Sequence, residues 1–281
     1  MEYGAEVKSF RHIKHAAICG ALGFAIMDAS FAAGGLSYAD NQVFPHGYID
    51  FDDAGPLAMP DYPLGVIESS YAAQASYRSL YNIKELTDNR LGFAFQRKSF
   101  IAGGSVALFG EPDYFQQVGL AVFSSFRLRR FRVGGSLIYS RLNFNDKYGD
   151  LSTATINTAC AYTQDRVTAY VVLRSINQPR YHAHGQPVLP EAEMGISYKS
   201  PHGLDSQAKA LFIRHQKPAA ELLQAFRVSE YARLSWCLVL APVRFGGGLH
   251  LEKGYFRFDY TVSHHPVLGL THTVGMTVAG K

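Results

Sequence analysis

The sequence predicts an all-β fold, a closed antiparallel transmembrane β-barrel of about 12–14 strands. Three observations predict this fold. The N-terminus carries the pattern of a secretory signal, apolar and polar residues alternate with a period of two along the body of the chain, and the composition combines many aromatic residues with few charged ones. An even strand number is expected because single-chain bacterial barrels have one.

The chain has 281 residues, which suits one large barrel domain. Charged residues make up 18% of it, below the roughly 25% of soluble domains. The formal net charge is +4, and basic residues cluster only at 127–132, where we predict a strand end and turn rather than a nucleic-acid site. Cys19, Cys160 and Cys237 lack the spacing of a metal or redox motif.

The export signal consists of basic residues at positions 8, 11 and 14, followed by an apolar run from Ala16 to Met27. Ser30 and Ala32 then form a small-x-small cleavage site, and cleavage after Ala39 also satisfies the rule. The alternative is a buried N-terminal helix of a cytosolic protein.

Three regions follow from this pattern. We predict that residues 1–32 are a removed signal peptide. Residues 33–63, rich in Pro, Asp, Gly and Tyr towards their C-terminal end, form an irregular segment that acts as a plug or lies at the periplasmic rim. Residues 64–281 form the barrel.

Alternation, the signature of a strand with two different faces, is strongest near the C-terminus. It runs through residues 243–252, 255–262 and 270–278, and earlier through 131–140, 166–174 and 234–240. Further strand candidates lie near 92–98, 101–109, 117–127, 155–163, 192–199, 206–214 and 220–229, and two weaker ones near 65–74 and 77–85. A membrane barrel would turn the apolar half of each strand to lipid, whereas a soluble barrel would invert the faces. Alternation alone fits both.

The C-terminal run from Arg244 to Val278 resembles the last three strands of the FadL/PorV-like outer-membrane barrels. In that group a glycine-rich strand precedes an "FRxDY" strand, a His-Pro loop and an "LGxTH" strand. The segment from Leu189 to Gly203 resembles the group's "LP…LGLSYRP" strand. His264 would belong to the loop. The chain lacks the group's N-terminal "YYNPAGL" stretch and a terminal Phe. The matching residues are Phe256, Arg257, Asp259, Tyr260, His265, Pro266, Leu268, Gly269, Thr271 and His272.

No catalytic, cofactor-binding, metal-binding or ligand-binding residue stands out in the sequence. His182 and His184 form an HxH pair without an evident third ligand, so a solvated loop is the expectation. Asp50, Asp52 and Asp53 lack the spacing and glycine of a calcium loop. The chain has no nucleophile-elbow, Walker or GxGxxG motif, and no cofactor or enzymatic role is expected.

The resemblance implies a non-enzymatic barrel in the outer membrane of a Gram-negative-type bacterium. Its transport branch implies passage of a small molecule, with a hydrophobic one as the implied class. Its export branch implies work with secretion-system proteins or in envelope organisation. The expected partners are outer-membrane lipid and the barrel-insertion machinery, and not nucleic acid. The alternative is a soluble periplasmic β-barrel that binds a ligand.

Overall fold

A computed structural model gives the fold of most of the chain after its N-terminal part. It describes residues 55–67, 69–83, 86–111, 115–143, 150–181, 187–214, 216–240, 243–265 and 269–280. The predicted signal peptide, the acidic group at 50–53 and the His182–His184 pair lie outside these described residues.

Fourteen strands make up the body of the described chain. Their lengths, mostly 9–15 residues, match those of tilted strands that cross a bilayer. The strands are β1 (Tyr71–Ser79), β2 (Thr87–Arg97), β3 (Phe100–Glu111), β4 (Phe115–Leu128), β5 (Phe131–Asn143), β6 (Asp150–Gln164), β7 (Val167–Arg174), β8 (Glu191–Lys199), β9 (Leu204–Ile213), β10 (Ala219–Arg227), β11 (Ala232–Leu240), β12 (Val243–Lys253), β13 (Phe256–His265) and β14 (Gly269–Gly280).

The sheet is a closed barrel in which every strand pairs antiparallel with its sequence neighbours. Closure comes from β1 and β14, whose register runs from Tyr71 opposite Gly280 to Ser79 opposite His272. The predicted closed antiparallel barrel is therefore confirmed, with 14 strands. Within the described ranges, no helix is long and apolar enough to cross a membrane.

The two faces of the sheet differ in the sense expected for a barrel in lipid. Large apolar side chains are exposed on the outside, while polar side chains point inwards and are buried. On β2, for example, Leu91, Phe93 and Phe95 face outwards, and Asp88 faces the lumen. The outward set includes Leu120, Val122, Phe126, Val133, Leu137, Ile196, Leu234, Trp236, Phe245, Phe258 and Met276.

The two ends of the barrel have different connections. The start of β1, the end of β14 and the two-residue turns at 98–99, 129–130, 165–166 and 254–255 share one end, here called the tight-turn end. At the opposite end, here called the loop end, lie the described residues 175–181 and 187–190, which follow β7 and precede β8. The turn predicted in the arginine cluster is confirmed at 129–130.

Two predictions were wrong in detail, one about the first strands and one about a turn at His264. The weak candidates near 65–74 and 77–85 are replaced by the single strand β1, and the first of them overlaps irregular chain. His264 lies in β13, where its ring stacks on Phe245 at 4.9 Å between centroids, and is not part of a turn.

Residues 55–67, here called the luminal segment, lie inside the barrel as a series of turns. Leu57, Met59 and Leu64 are almost completely buried. Met59 packs against a cluster from the inner walls of β1–β4, and Leu64 packs against one from β6 and β7. Burial of such a side chain contributes about 1.5–3 kcal/mol. The barrel thus has two apolar clusters that lie between its inner wall and the luminal segment.

Close approach of the luminal segment requires a glycine on β5. A Cβ atom at Gly134 would overlap the carbonyl oxygen of Pro63, whereas one at the neighbouring Gly135 would make an ordinary 3.5 Å contact. Gly134 faces the lumen and Gly135 faces outwards.

We expect Gly134→Ala to destabilise the folded barrel by about 1–3 kcal/mol, because the added methyl group collides with backbone. Gly135→Ala is the matched control and should change the free energy of unfolding by less than about 0.5 kcal/mol. Urea titration of both variants in lipid vesicles measures the difference. Equal stability of the two variants would show that the segment does not approach β5 in this way.

Candidate functional site

The backbone of the luminal segment is held by polar side chains of the barrel wall. Ser136 Oγ and Asn157 Nδ2 both donate hydrogen bonds to the carbonyl oxygen of Pro60, at 2.5 and 3.0 Å. Arg132 donates to the carbonyl oxygen of Leu64 at 2.5 Å. These bonds satisfy carbonyl groups that an irregular segment cannot pair with itself.

The ring of Tyr62 is enclosed by charged side chains from β7–β10. Its hydroxyl donates a 2.8 Å hydrogen bond to Glu193 Oε2. The guanidinium of Arg174 lies 4.5 Å from the ring centroid and the Lys209 ammonium 5.7 Å from it, both within range of a cation–π interaction. Arg174 also pairs with Glu193 at 3.0 Å, and Lys209 pairs with Glu221 at 3.0 Å. Charges on the wall are thereby paired around one residue of the segment.

Burial changes the ionisation of the two polar side chains that the segment contributes. Loss of solvent, together with the nearby charge of Glu193, raises the pKa of Tyr62 to about 12, so its hydroxyl remains a donor. Burial also raises the pKa of Asp61, although Arg90 and Arg174 oppose this shift. Both residues are therefore electrostatically coupled to the barrel wall.

A second ionic group lies on the inner face of β1 and β2. Asp88 accepts from Arg78 at 2.6 Å and from Arg90 at 2.8 Å. A cavity of about 110 Å³ lies between this group and Arg174, with Asp61 of the luminal segment in its lining. Serine, threonine, glutamine and asparagine side chains share the rest of the lining with leucine, isoleucine, valine, alanine and phenylalanine side chains, so this cavity offers both polar and apolar contacts.

A third polar group lies on the inner face of β11–β13, away from the luminal segment's main contacts. Ser235 Oγ lies 2.9 Å from His250 Nε2, and His250 Nδ1 lies 2.7 Å from Asp259 Oδ1. Arg257 Nε donates to both carboxylate oxygens of Asp259, at 3.0 and 3.2 Å. A second cavity, of about 230 Å³, lies at the tight-turn end and has Arg257 in its lining.

None of these three polar groups stands out as a site in the sequence. Arg257 and Asp259 of the "FRxDY" pattern lie in a strand, as predicted, and their side chains face the lumen. The signal that could have found the rest is the polar half of each alternating strand, since Arg174, Glu193 and Lys209 all occupy inward positions. In the described part of the chain no group of three or more His, Cys, Asp or Glu could hold a metal ion.

Comparison with solved structures identifies the type of fold. The outer membrane protein Omp33 of Acinetobacter baumannii has a TM-score of 0.52 at 9% identity, over 75% of this chain and 98% of that one. The chain has the fold of an outer-membrane β-barrel protein. A triple mutant of the porin of Rh. blastica has a TM-score of 0.42 at 8% identity, over 74% of this chain and 98% of that one. No protein-family model matches the chain, and no curated protein matches it.

We expect Tyr62→Phe to loosen the luminal segment, because Glu193 loses a donor that is worth about 1.5–3 kcal/mol to a charged acceptor. Hydrogen exchange of the peptide covering residues 55–67 should accelerate about tenfold or more. Tyr77→Phe, on the exposed outer face, is the control and should leave exchange in this peptide unchanged. Unaltered exchange in Tyr62→Phe would mean that the hydroxyl does not anchor the segment.

Proposed function

We propose that the protein is a bacterial outer-membrane barrel that gives small polar solutes a restricted passage, with the luminal segment as its plug. The proposal rests on the contrast between the apolar exterior of the barrel and a lumen lined with charged and polar side chains. Residues 55–67 lie inside this lumen and are hydrogen-bonded to its wall. The fold shared with Omp33 supports the same proposal at the level of architecture.

The exterior supports insertion in lipid. Exposed aromatic side chains surround the tight-turn end, at the level where aromatic belts meet lipid headgroups. The short turns at this end are typical of periplasmic connections, and the loop end then faces the cell exterior. The aromatic residues are Tyr71, Phe95, Phe100, Phe126, Tyr198, Phe226, Tyr231, Tyr255 and Phe256. Outer-membrane lipid and the barrel-insertion machinery are the partners that this placement requires.

The lumen favours a polar solute over the hydrophobic cargo that the FadL-like resemblance implied. The cavity above the luminal segment is bordered by Arg78, Arg90 and Arg174 on the wall and by Asp61 on the segment. An apolar molecule would contact the leucine, isoleucine and phenylalanine side chains of the lining. It would also displace water from the ionic groups without replacing their hydrogen bonds, and this cost disfavours it. Solute passage in this proposal needs no catalytic step.

Placement in lipid predicts a depth-dependent cost of charge on the outer face. Val122, in the middle of β4, is 59% exposed, and Leu128, at the tight-turn end of the same face, is 62% exposed. Val122→Arg should lower the free energy of unfolding by about 2–4 kcal/mol, and Leu128→Arg by about 0–1 kcal/mol.

Urea titration in lipid vesicles, read from the fluorescence of the single tryptophan, Trp236, measures the free energy of unfolding of both variants.

Cell fractionation and a gel run with and without boiling should show a heat-modifiable band in the outer membrane. A soluble periplasmic product, or equal effects of the two arginines, would contradict placement in lipid.

The plug is tested by conductance. Wild-type protein in planar bilayers should conduct poorly, and replacement of residues 55–67 by a Gly-Ser segment of equal length should raise single-channel conductance severalfold. Tyr62→Phe is a second variant, expected to open more often at unchanged open conductance. If the variant with the Gly-Ser segment keeps its heat-modifiable band but conducts as the wild type does, the luminal segment is not the plug.

A further inference from the structure

We propose that Ser235, His250 and Asp259 form a hydrolytic site for small carboxylic esters on the inner wall of the barrel, an activity beyond solute passage. Ser235 Oγ lies 2.9 Å from His250 Nε2, and His250 Nδ1 lies 2.7 Å from Asp259 Oδ1. A nucleophile within hydrogen-bond reach of a base, and a third group that orients the base, are the structural signature of nucleophilic catalysis.

The strand register brings the three residues together. His250 is opposite Asp259 in the pairing of β12 with β13. Ser235 is opposite Gly248 in the pairing of β11 with β12, one inward position along the strand from His250. When Nδ1–H donates to Asp259, Nε2 is left to accept the Ser235 hydroxyl proton, which is the tautomer that a serine nucleophile requires.

Two inward glycines lie beside this group. A Cβ atom at Gly248 would lie 2.6 Å from Ser235 Oγ and 3.1 Å from His250 Nε2, so a larger residue would push the serine and imidazole apart. Gly275 is opposite Asp259 on β14 and likewise presents no side chain. The absence of a side chain at Gly248 therefore allows Ser235 and His250 to form their hydrogen bond.

Arg257 connects the three residues to a cavity of the barrel. It donates to both oxygens of Asp259, and it also lines the 230 Å³ cavity at the tight-turn end. Ile67, Ala72 and Ala279 give this cavity an apolar part. Ser235 is not part of the lining, so an ester that enters this cavity would reach the serine by moving along the inner wall past Arg257.

The reaction is an ordinary two-step hydrolysis with water as co-reactant. Ser235 Oγ attacks the carbonyl carbon while its proton passes to His250 Nε2. The bond to the alcohol then breaks, and the alcohol leaves with that proton. Water attacks the acyl-serine and gives its proton to Nε2; the Ser235–acyl bond breaks, the carboxylic acid leaves, and Oγ regains the proton. Arg233, opposite His250 in the register of β11 and β12, is a cation on this wall that would stabilise the oxyanion.

The test uses the full-length barrel, folded in detergent and checked for its heat-modifiable band. A fluorophosphonate probe should form an Oγ–phosphorus bond at Ser235 with loss of fluoride, located by mass spectrometry of the labelled peptide. The same preparation should hydrolyse p-nitrophenyl butyrate. Ser235→Ala should abolish both signals, and His250→Gln should slow labelling by at least about 100-fold.

Ser263→Ala is the matched control, since it removes an inward hydroxyl from the same wall without touching the three residues; its labelling should equal that of the wild type. An unlabelled Ser235 in the folded wild-type barrel would overturn the proposal. Labelling that is equally fast in His250→Gln would also overturn it, because the serine would then have no base.

Asp259 is a positioning residue, and paired variants separate its charge from its shape. Asp259→Asn keeps the shape but loses the carboxylate, while Asp259→Glu keeps the carboxylate. Labelling should fall at least about tenfold further in Asp259→Asn than in Asp259→Glu, since a carboxylate is needed to hold the tautomer. The reverse order, with both barrels folded, would assign Asp259 a packing role and contradict the proposal.

Discussion

Closure of the sheet between β1 and β14 is the constraint on which the rest of the structure depends. In an apolar medium each unpaired backbone group costs several kcal/mol, and an open sheet would leave two edges of such groups. The register from Tyr71 opposite Gly280 to Ser79 opposite His272 removes both edges. Once every strand has a neighbour on both sides, its side chains can point only to the exterior or into the lumen. Apolar and polar residues therefore alternate along each strand.

The inside of the barrel meets a different requirement. Inward charges are buried by neighbouring strands and by the luminal segment, so each needs a partner. Arg174 and Glu193 pair with each other and share Tyr62, while Arg132 is satisfied by a backbone carbonyl of the segment. The segment gains apolar burial at Met59 and supplies polar contacts at the same time, which explains how an irregular stretch without strand partners is held in one place.

Most of the barrel could be predicted from the sequence because outward and inward residues contrast in polarity. The prediction is weakest at β1, where Ala72 faces inwards and Ala73 and Ala75 face outwards, so alternation gives little signal. The resemblance to FadL/PorV-like barrels located the strand with Arg257 and Asp259 correctly, whereas the structural neighbours support only the wider barrel architecture. The polar groups of the lumen could not be predicted in the same way. Ser235 is 15 residues from His250, and His250 is 9 from Asp259, and only the pairing register makes these separations contacts.

The position of the luminal segment in the chain has a consequence for assembly. The segment immediately precedes β1, and β1 has its second partner only when β14, at the other end of the chain, has been made. The ring can therefore close only after β14 has been made. The segment must already be folded inwards when the ring closes, or it must enter through one end of the barrel afterwards. Contacts between Met59 and the walls of β1–β4 can form early, because these residues are close in sequence and local loops close at little entropic cost. The first strands would then fold around the segment, and the pairing of β14 with β1 would enclose it.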